Sequence, residues 1–441
     1  MNFLRRTTIL IVLLLSSCTP PLLVMRGGIP GFEFATKMAI PGGPTVVTST
    51  LDPIESQTSA PIPTSIPTST STSTSTSTPT VTQAPTLEPT PTPVPLIRPS
   101  ITPGFAWFYK PPGDNDLNRI AANFNMAILA DGDDQARDQL RNLGMTGPIL
   151  QYIRFDVIQD PGSCSQQPWR NQVANQPGDF CWIDSEHPEW FLLDQNGQRI
   201  VNPYGGETFV MMDPGNPYWR DFWLERVRQV QDQGSWDGVF LDNVEMTFSF
   251  REQRNEFPQA YPTEQSYQEA IQEFLRSIYQ DYFHPNGKLL FANLVARKDD
   301  SVWTSYLNNI DGAMHEGWSI DWPNGYRSPQ TWEKHLRLVE ETQRMGKTIL
   351  LVSQGFQNQE DLQQFAYASY LLVMQGKAYF RYANSSNYRD AWLYRNYQLN
   401  IGDPINDRYQ VGDGWRRDFT NGWVEVNPTQ HTAIIETGNP P

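Results

Sequence analysis

From Pro103 onward the chain repeats one pattern, a short apolar run followed by a polar or helix-patterned stretch. The runs are Phe105 to Tyr109, Met126 to Ala130, Ile149 to Phe155, Gly238 to Asp242, Leu289 to Val295, Gly312 to Glu316, Thr348 to Ser353 and Ala378 to Tyr382. Helical periodicity fills several of the gaps, over Tyr218 to Gln233, Thr263 to Tyr282, Gln330 to Met345 and Gln359 to Met374. A run such as Val239-Phe240-Leu241, apolar on both faces, suits a parallel strand covered on each side. Strand alternating with helix predicts βα units in a parallel sheet. Eight such units predict an α/β fold of the closed (β/α)8 TIM-barrel type over residues 104–390. No Gly-x-Gly-x-x-Gly follows the first run, so a dinucleotide fold has no support.

What precedes the barrel cannot build a core. Arg5 and Arg6 are followed by seven apolar residues, Ile9 to Leu15, too few to span a bilayer but enough for a signal-peptide core. The Leu15-Ser16-Ser17-Cys18 ending resembles a bacterial lipobox, so residues 1–18 read as a lipoprotein signal with Cys18 as the lipidated residue. Residues 19–103 are expected to be a stalk, Ser/Thr/Pro-rich from about Pro41, of a composition that buries too little apolar surface to offset chain entropy. About 60 such residues have a typical end-to-end distance on the order of 45 Å. The expected location is therefore the bacterial cell surface or envelope, facing outward.

Between the third and fourth runs, from about Asp156 to Pro217, lies an insertion expected to be helix-free, and insertions of that size are usually functional. It carries Cys164, Trp169, Cys181, Trp182, His187, Trp190, Phe191, Tyr204 and Asp213. With Cys18 lipidated, Cys164 and Cys181 are the remaining thiols, and an exported chain lets them pair. The disulfide is expected to hold an aromatic lid over the barrel mouth. Residues 391–441 alternate in strand fashion, as in Gly422-Trp423-Val424-Glu425-Val426, and predict a small β appendage. A net charge of −15 argues against a nucleic-acid partner, while 14 Trp and 12% aromatic residues suit the faces of sugars.

The chemistry is sought where apolar runs end in acids. Val239-Phe240-Leu241 ends in Asp242, Asn243 and Glu245, and the sixth run ends in Glu316. In a closed barrel such strand-end acids gather at the active-site mouth, and strands two apart project into the same layer. Two carboxyl groups are what glycosidic cleavage needs, with about 5–5.5 Å between them for retention and a longer gap for inversion. Asp242 and Glu316 are therefore the candidate catalytic pair. Candidate sugar-binding groups are Trp107, Tyr109, Trp318 and Trp322 by stacking, although aromatics serve equally as core. Lys110, Asn293, Gln354 and Arg381 sit at run ends and are candidates for bonding hydroxyls. Asn243 and His315 flank the acids and are further sugar-binding candidates, and His315 reads also as barrel wall. Glu245 could bind substrate, meet Arg251 or instead be the acid, and Asp213 could bind substrate or cap the helix after it. No metal or cofactor is expected, and the chain is expected to be a monomer.

The pairing of W-D-G-V-F-L-D-N-V-E with M-H-E-G-W, together with H-P-E-W-F-L, M-D-P-G-N-P and F-T-N-G-W-V-E-V-N-P, resembles the hypothetical glycoside hydrolases of the TIM-barrel superfamily. That group is similar to the endo-polygalactosaminidase and α-galactosidase families, and the resemblance spans roughly residues 104–436. It implies that Asp242 is the nucleophile and Glu316 the acid/base, although α-galactosidases often carry Asp at the second position. The expectation is an exported, lipid-anchored glycoside hydrolase acting on a poly- or oligosaccharide, with retention the outcome that goes with Asp242 as nucleophile. The rival readings are a non-catalytic surface glycan-binding protein on the same scaffold, and a lyase or aldolase holding a metal through Asp242, Asn243 and Glu245.

Overall fold

The computed structural model describes residues 100–295, 300–321, 323 and 325–438. Residues 1–99, with the expected signal segment, Cys18 and nearly all of the expected stalk, lie outside the described residues, as does Trp322. Eight parallel strands close into a barrel: β1 (Gly104–Tyr109), β2 (Met126–Leu129), β3 (Ile149–Arg154), β4 (Gly238–Glu245), β5 (Leu289–Val295), β6 (Gly312–Glu316), β7 (Thr348–Gly355) and β8 (Ala378–Asn384). Each strand pairs with its neighbour in sequence, and β1 pairs with β8 to close the ring. Every apolar run of the sequence became one of these strands, with β4, β7 and β8 running two or three residues further than their runs.

Four of the helices between them start where a side chain satisfies free N–H groups. Helix α1 (Leu117–Asn123) is capped by Asp116, and α2 (Asp134–Asn142) follows β2. Helix α3 (Pro217–Gln233) is capped by Asn216, whose side chain accepts from Tyr218 and Trp219. Helix α4 (Glu264–Ile278) opens on a Thr263–Ser266 capping box and runs on into a π-turn over Tyr279–Phe283. After β5 come α5 (Asp300–Leu307), α6 (Pro329–Arg344), capped by Ser328, and α7 (Glu360–Val373). Among the described residues no helix is long and apolar enough to cross a membrane.

Strand parity divides the core in two. Residues such as Ala106, Phe108, Tyr152, Phe240, Met314 and Val352 fill the barrel interior. Their alternates, such as Trp107, Val239, Leu241 and Ala313, pack against the helices. Gly238 is needed where β4 begins: its φ is +157°, and a Cβ there would fall 1.9 Å from the Leu289 carbonyl oxygen.

The insertion after β3 differs from the expected helix-free segment. It contains an antiparallel sheet of Val157–Asp160, Glu207–Met211 and Val201–Tyr204, and a helix at Asp179–Glu186 that turns Phe180 and Ile183 inward. The helix escaped sequence reading because its apolar residues show almost no one-sided period. Cys164 and Cys181 form a disulfide with their Cα atoms 5.7 Å apart. The aromatic lid does not form as expected either. Trp182 and Trp190 pack, tilted, against Phe222 and Trp219 of α3, on the outside of the barrel. Trp169, by contrast, lies edge-on to the interior residue Tyr152, 6.2 Å between ring centres.

After β8 the chain forms a four-stranded antiparallel sheet, β9 (Tyr409–Val411), β10 (Gly414–Phe419), β11 (Gly422–Asn427) and β12 (Thr432–Thr437). Burial alternates along β11, which explains its period-two sequence. The sheet is docked by Arg408, which pairs with Glu333 and Glu340 of α6, and by Arg417, which donates to three carbonyls at the end of α7.

Candidate active site

Asp242 and Phe240 share the inward parity of β4, and Glu316 and Met314 share that of β6, so both acids arrive at the C-terminal end of the barrel interior. Between them stands Asn293 of β5. Its single Nδ2 donates to Asp242 Oδ1 at 3.0 Å and to Glu316 Oε2 at 3.0 Å. Those two contacts hold the nearer oxygens no more than about 6 Å apart, and N–H bonds diverging at roughly 120° would put them about 5 Å apart. The amide can face only one way, because turning its oxygen toward two carboxylates would replace two attractions by two repulsions. Asn293 Oδ1, on the other side of the amide, is a buried acceptor with no hydrogen-bond partner among the described residues.

Asp242 is fully buried and surrounded by donors. Tyr152 of β3 gives its hydroxyl proton to Oδ2 at 2.6 Å, and the Asn243 N–H reaches Oδ1 at 3.0 Å. Asn243 itself takes a left-handed conformation, φ +58°, where the β4–β5 register shifts. Burial pushes the Asp242 carboxyl above its ordinary value, against the opposing pull of Arg154, Tyr152 and Asn293. Arg154 is level with Asp242 on the adjoining strand, but its guanidinium is spent on both oxygens of Asp156 at 2.7 Å each. The charge near Asp242 is thus felt without being in contact.

Glu316 is half-buried and is reached from the other side of the mouth. Tyr388, in the loop after β8, donates to Oε1 at 3.2 Å and itself accepts from Gln354 Nε2. Burial, followed by the nearby carboxylates, raises the hydroxyls of Tyr109, Tyr152 and Tyr388 well above the usual tyrosine value. All three are therefore neutral donors at any physiological pH.

Of the remaining candidates, Tyr109 stands in this cluster, 5.1 Å from the Tyr152 ring and 5.5 Å from that of Tyr388. Lys110 is beside the mouth, paired with Asp133 at 3.4 Å. The others are drawn elsewhere. Trp107 has outward parity and is core, its Nε1 donating to the Lys110 carbonyl. Trp318 is likewise core, bonded to the Ala366 carbonyl. His315 faces the helices, 4.3 Å from the ring of His335. Glu245 points away from the mouth into a buried ion pair with Arg251 at 2.8 Å, with Tyr267 as second donor. Arg381 is stacked over Trp107 and gives its protons to the carbonyls of Phe108 and Tyr388, so it braces the mouth instead of presenting a cation to it. Asp213 braces the loop before α3 by accepting from Gly215 and Tyr261. Trp322 lies outside the described residues. With Glu245 engaged by Arg251 and Tyr267, the metal set Asp242, Asn243 and Glu245 is not gathered, and among the described residues no cluster of three His, Cys, Asp or Glu side chains is placed to hold a metal.

Sequence reasoning missed Tyr152 and Tyr388. Tyr152 carries a signal, because it shares the parity of Leu150 and Arg154 in a run whose end faces the mouth. Tyr388 carries none, since it belongs to a loop.

The profile of hypothetical glycosyl hydrolase family 15 matches residues 163–423, more than half of the chain. The chain belongs to this family. The match takes in both acids, Asn293 and Tyr388, while β1 to β3 lie before it. No curated protein matches the sequence. Among solved structures, the glycoside hydrolase domain of PelA from Pseudomonas aeruginosa is similar at 15% identity, over 65% of this chain and 96% of that one, with a TM-score of 0.41. An α-galactosidase from Thermus thermophilus gives 14%, 76%, 68% and 0.43 for the same four measures. The maltogenic α-amylase AmyB from Thermotoga neapolitana gives 12%, 74%, 86% and 0.44. The family assignment makes carbohydrate the substrate class.

Proposed function

We propose that this family member is a retaining glycoside hydrolase of a poly- or oligosaccharide, with Asp242 as nucleophile and Glu316 as general acid/base. The observation that carries the reading is the Asn293 amide shared between the two carboxylates, which keeps them in the range of retaining pairs and short of the about 6.5–9.5 Å that inversion needs for its water. Asp242 oxygen attacks the anomeric carbon as the bond to the leaving oxygen breaks and Glu316 delivers that oxygen its proton. In the second half, Glu316 takes a proton from water, the resulting hydroxide attacks the anomeric carbon, and Asp242 departs as a carboxylate. The assignment of the two acids follows from their partners. Asp242 is met by three neutral donors and offers nothing in return, which suits a group that acts as an anion. Glu316 is the more open of the two, as a group exchanging protons with a leaving group and with water must be.

Asp242 is covered in the free protein, so substrate entry requires a side chain above it to swing away. Tyr388 is the one carried by a loop; Tyr109 and Tyr152 are fixed in strands. Asn293 Oδ1 then accepts from a sugar hydroxyl. The Arg5–Arg6 segment, the apolar run and Leu15-Ser16-Ser17-Cys18 support export and anchoring through lipidated Cys18. The test is a polysaccharide screen with the full chain, wild type against Asp242→Asn. The reading expects product from the wild type alone, and equal product from both would overturn it. A wild type that binds a glycan and releases nothing would favour the non-catalytic alternative.

A further inference from the structure

Beside the barrel mouth the insertion folds back toward Lys110 at the end of β1 and borders an open cavity of about 530 Å³. That size falls within the range of small-molecule sites. Its apolar faces are Trp169, Tyr204 and Phe209, and Lys110, Arg170 and Glu207 stand among its polar lining. The charged groups are of both signs and each is already matched. Lys110 pairs with Asp133 at 3.4 Å, Arg170 with Asp131 at 2.6 Å, and Glu207 accepts from Gln159 at 2.6 Å. A polyanion would find no excess of positive charge here, and a purely apolar ligand would strand those ion pairs. Aromatic faces combined with balanced, hydrogen-bonding charge suit an uncharged ring that is apolar on its faces and carries hydroxyls at its edge.

The cavity and the carboxylate pair share a wall. The Tyr152 ring stands 6.2 Å from Trp169 on one side, and its hydroxyl is 2.6 Å from Asp242 on the other. Lys110, in the cavity lining, directly follows Tyr109, which packs on Tyr152. Beyond the Arg170–Asp131 pair a second cavity of about 350 Å³ continues, lined with amides that include Gln172, Gln176 and Gln229.

We propose that the Trp169–Tyr204 cavity is a sugar-binding subsite separate from the cleavage point, so that the substrate is a chain of uncharged pyranose units longer than a disaccharide. The proposal depends on the hydrolase reading for which bond is cut, while the subsite itself stands on the cavity. The test is titration calorimetry of the full chain carrying Asp242→Asn, against gluco-, galacto- and N-acetylglucosamine-oligosaccharides of increasing length. Affinity should rise with chain length until the subsite is filled. Adding Tyr204→Ala or Arg170→Ala should lower affinity for the longest binder by about tenfold, with a smaller loss for shorter chains. Tyr204→Phe, which keeps the ring, should restore it. Unchanged long-chain affinity in both variants, or no binding to any oligosaccharide, would overturn the subsite. If the wild type cleaves a glycan while both variants bind it normally, the subsite falls and the hydrolase stands. If it binds without cleaving and Tyr204→Ala abolishes the length dependence, the hydrolase falls and the subsite stands.

Discussion

Strand β4 buries two acids three residues apart, and they are treated in opposite ways. Glu245, beyond the register shift, is met directly by the Arg251 guanidinium and by Tyr267. Asp242, on the inner face, is met by a phenol, an amide and a backbone N–H, while the nearest cation is occupied with Asp156. A buried acid with a cation in contact has its charge cancelled and has nothing left to give. One held only by neutral donors keeps an anion that is oriented but not neutralised, at a cost in stability. The first arrangement braces a fold, and the second suits chemistry.

The contrast breaks most visibly through Asp242→Asn, which should reduce hydrolysis by at least about 10³-fold. The same change should leave unfolding stability at neutral pH equal to or above the wild type. The folded protein holds the Asp242 carboxyl above its ordinary value. Protonated Asp242 therefore favours the fold, and that contribution is complete below the ordinary carboxylate pKa and lost as pH rises through the folded value. Denaturant titrations at neutral and acidic pH should show the advantage of the variant shrinking as pH falls. Glu245→Gln should do the reverse, losing about 3 kcal/mol of stability because Arg251 is left charged and buried, with kcat/KM per folded molecule kept. A stable Glu245→Gln with impaired turnover would erase the distinction between the two acids.

Tyr152→Phe sharpens the comparison from inside the site. It removes a donor that pulls the Asp242 pKa down, so the acid limb of the kcat/KM profile should move to higher pH and the plateau fall by about tenfold. An acid limb that stays in place would show that Asp242 is not the titrating group. Tyr388→Phe should have the smallest effect, a few-fold fall in kcat/KM, because its 3.2 Å bond to Glu316 is the longest in the network.

The same division explains what could be read in advance. Barrel strands are buried on both faces, so their runs stand out from the polar helices between them. Asp242 and Glu316 were visible because a charge ending an apolar run is rare. Parity already marks His315 as barrel wall in the sequence, and the same signal, left unused for Trp107, sets that ring between the inward Ala106 and Phe108 and toward the helices. Tyr152 has the inward parity but was hidden by its apolar ring. Arg381 ends the eighth run as a mouth residue would, yet its stacking on Trp107 and its carbonyl partners come from β1 and from the loop after β8, contacts no local pattern encodes. The insertion was misjudged for the same reason. Its tryptophans found α3, which follows it in sequence, and only Trp169 reached the barrel.

The most direct test of the carboxylate pair is the anomeric configuration of the first-formed product, followed by proton NMR during wild-type hydrolysis of a glycan identified in the screen. Two acids held by one amide within about 6 Å predict a product that first appears with the configuration of the bond that was cut. A first product of opposite configuration would mean that water, not Asp242, attacks the sugar, and would contradict the account.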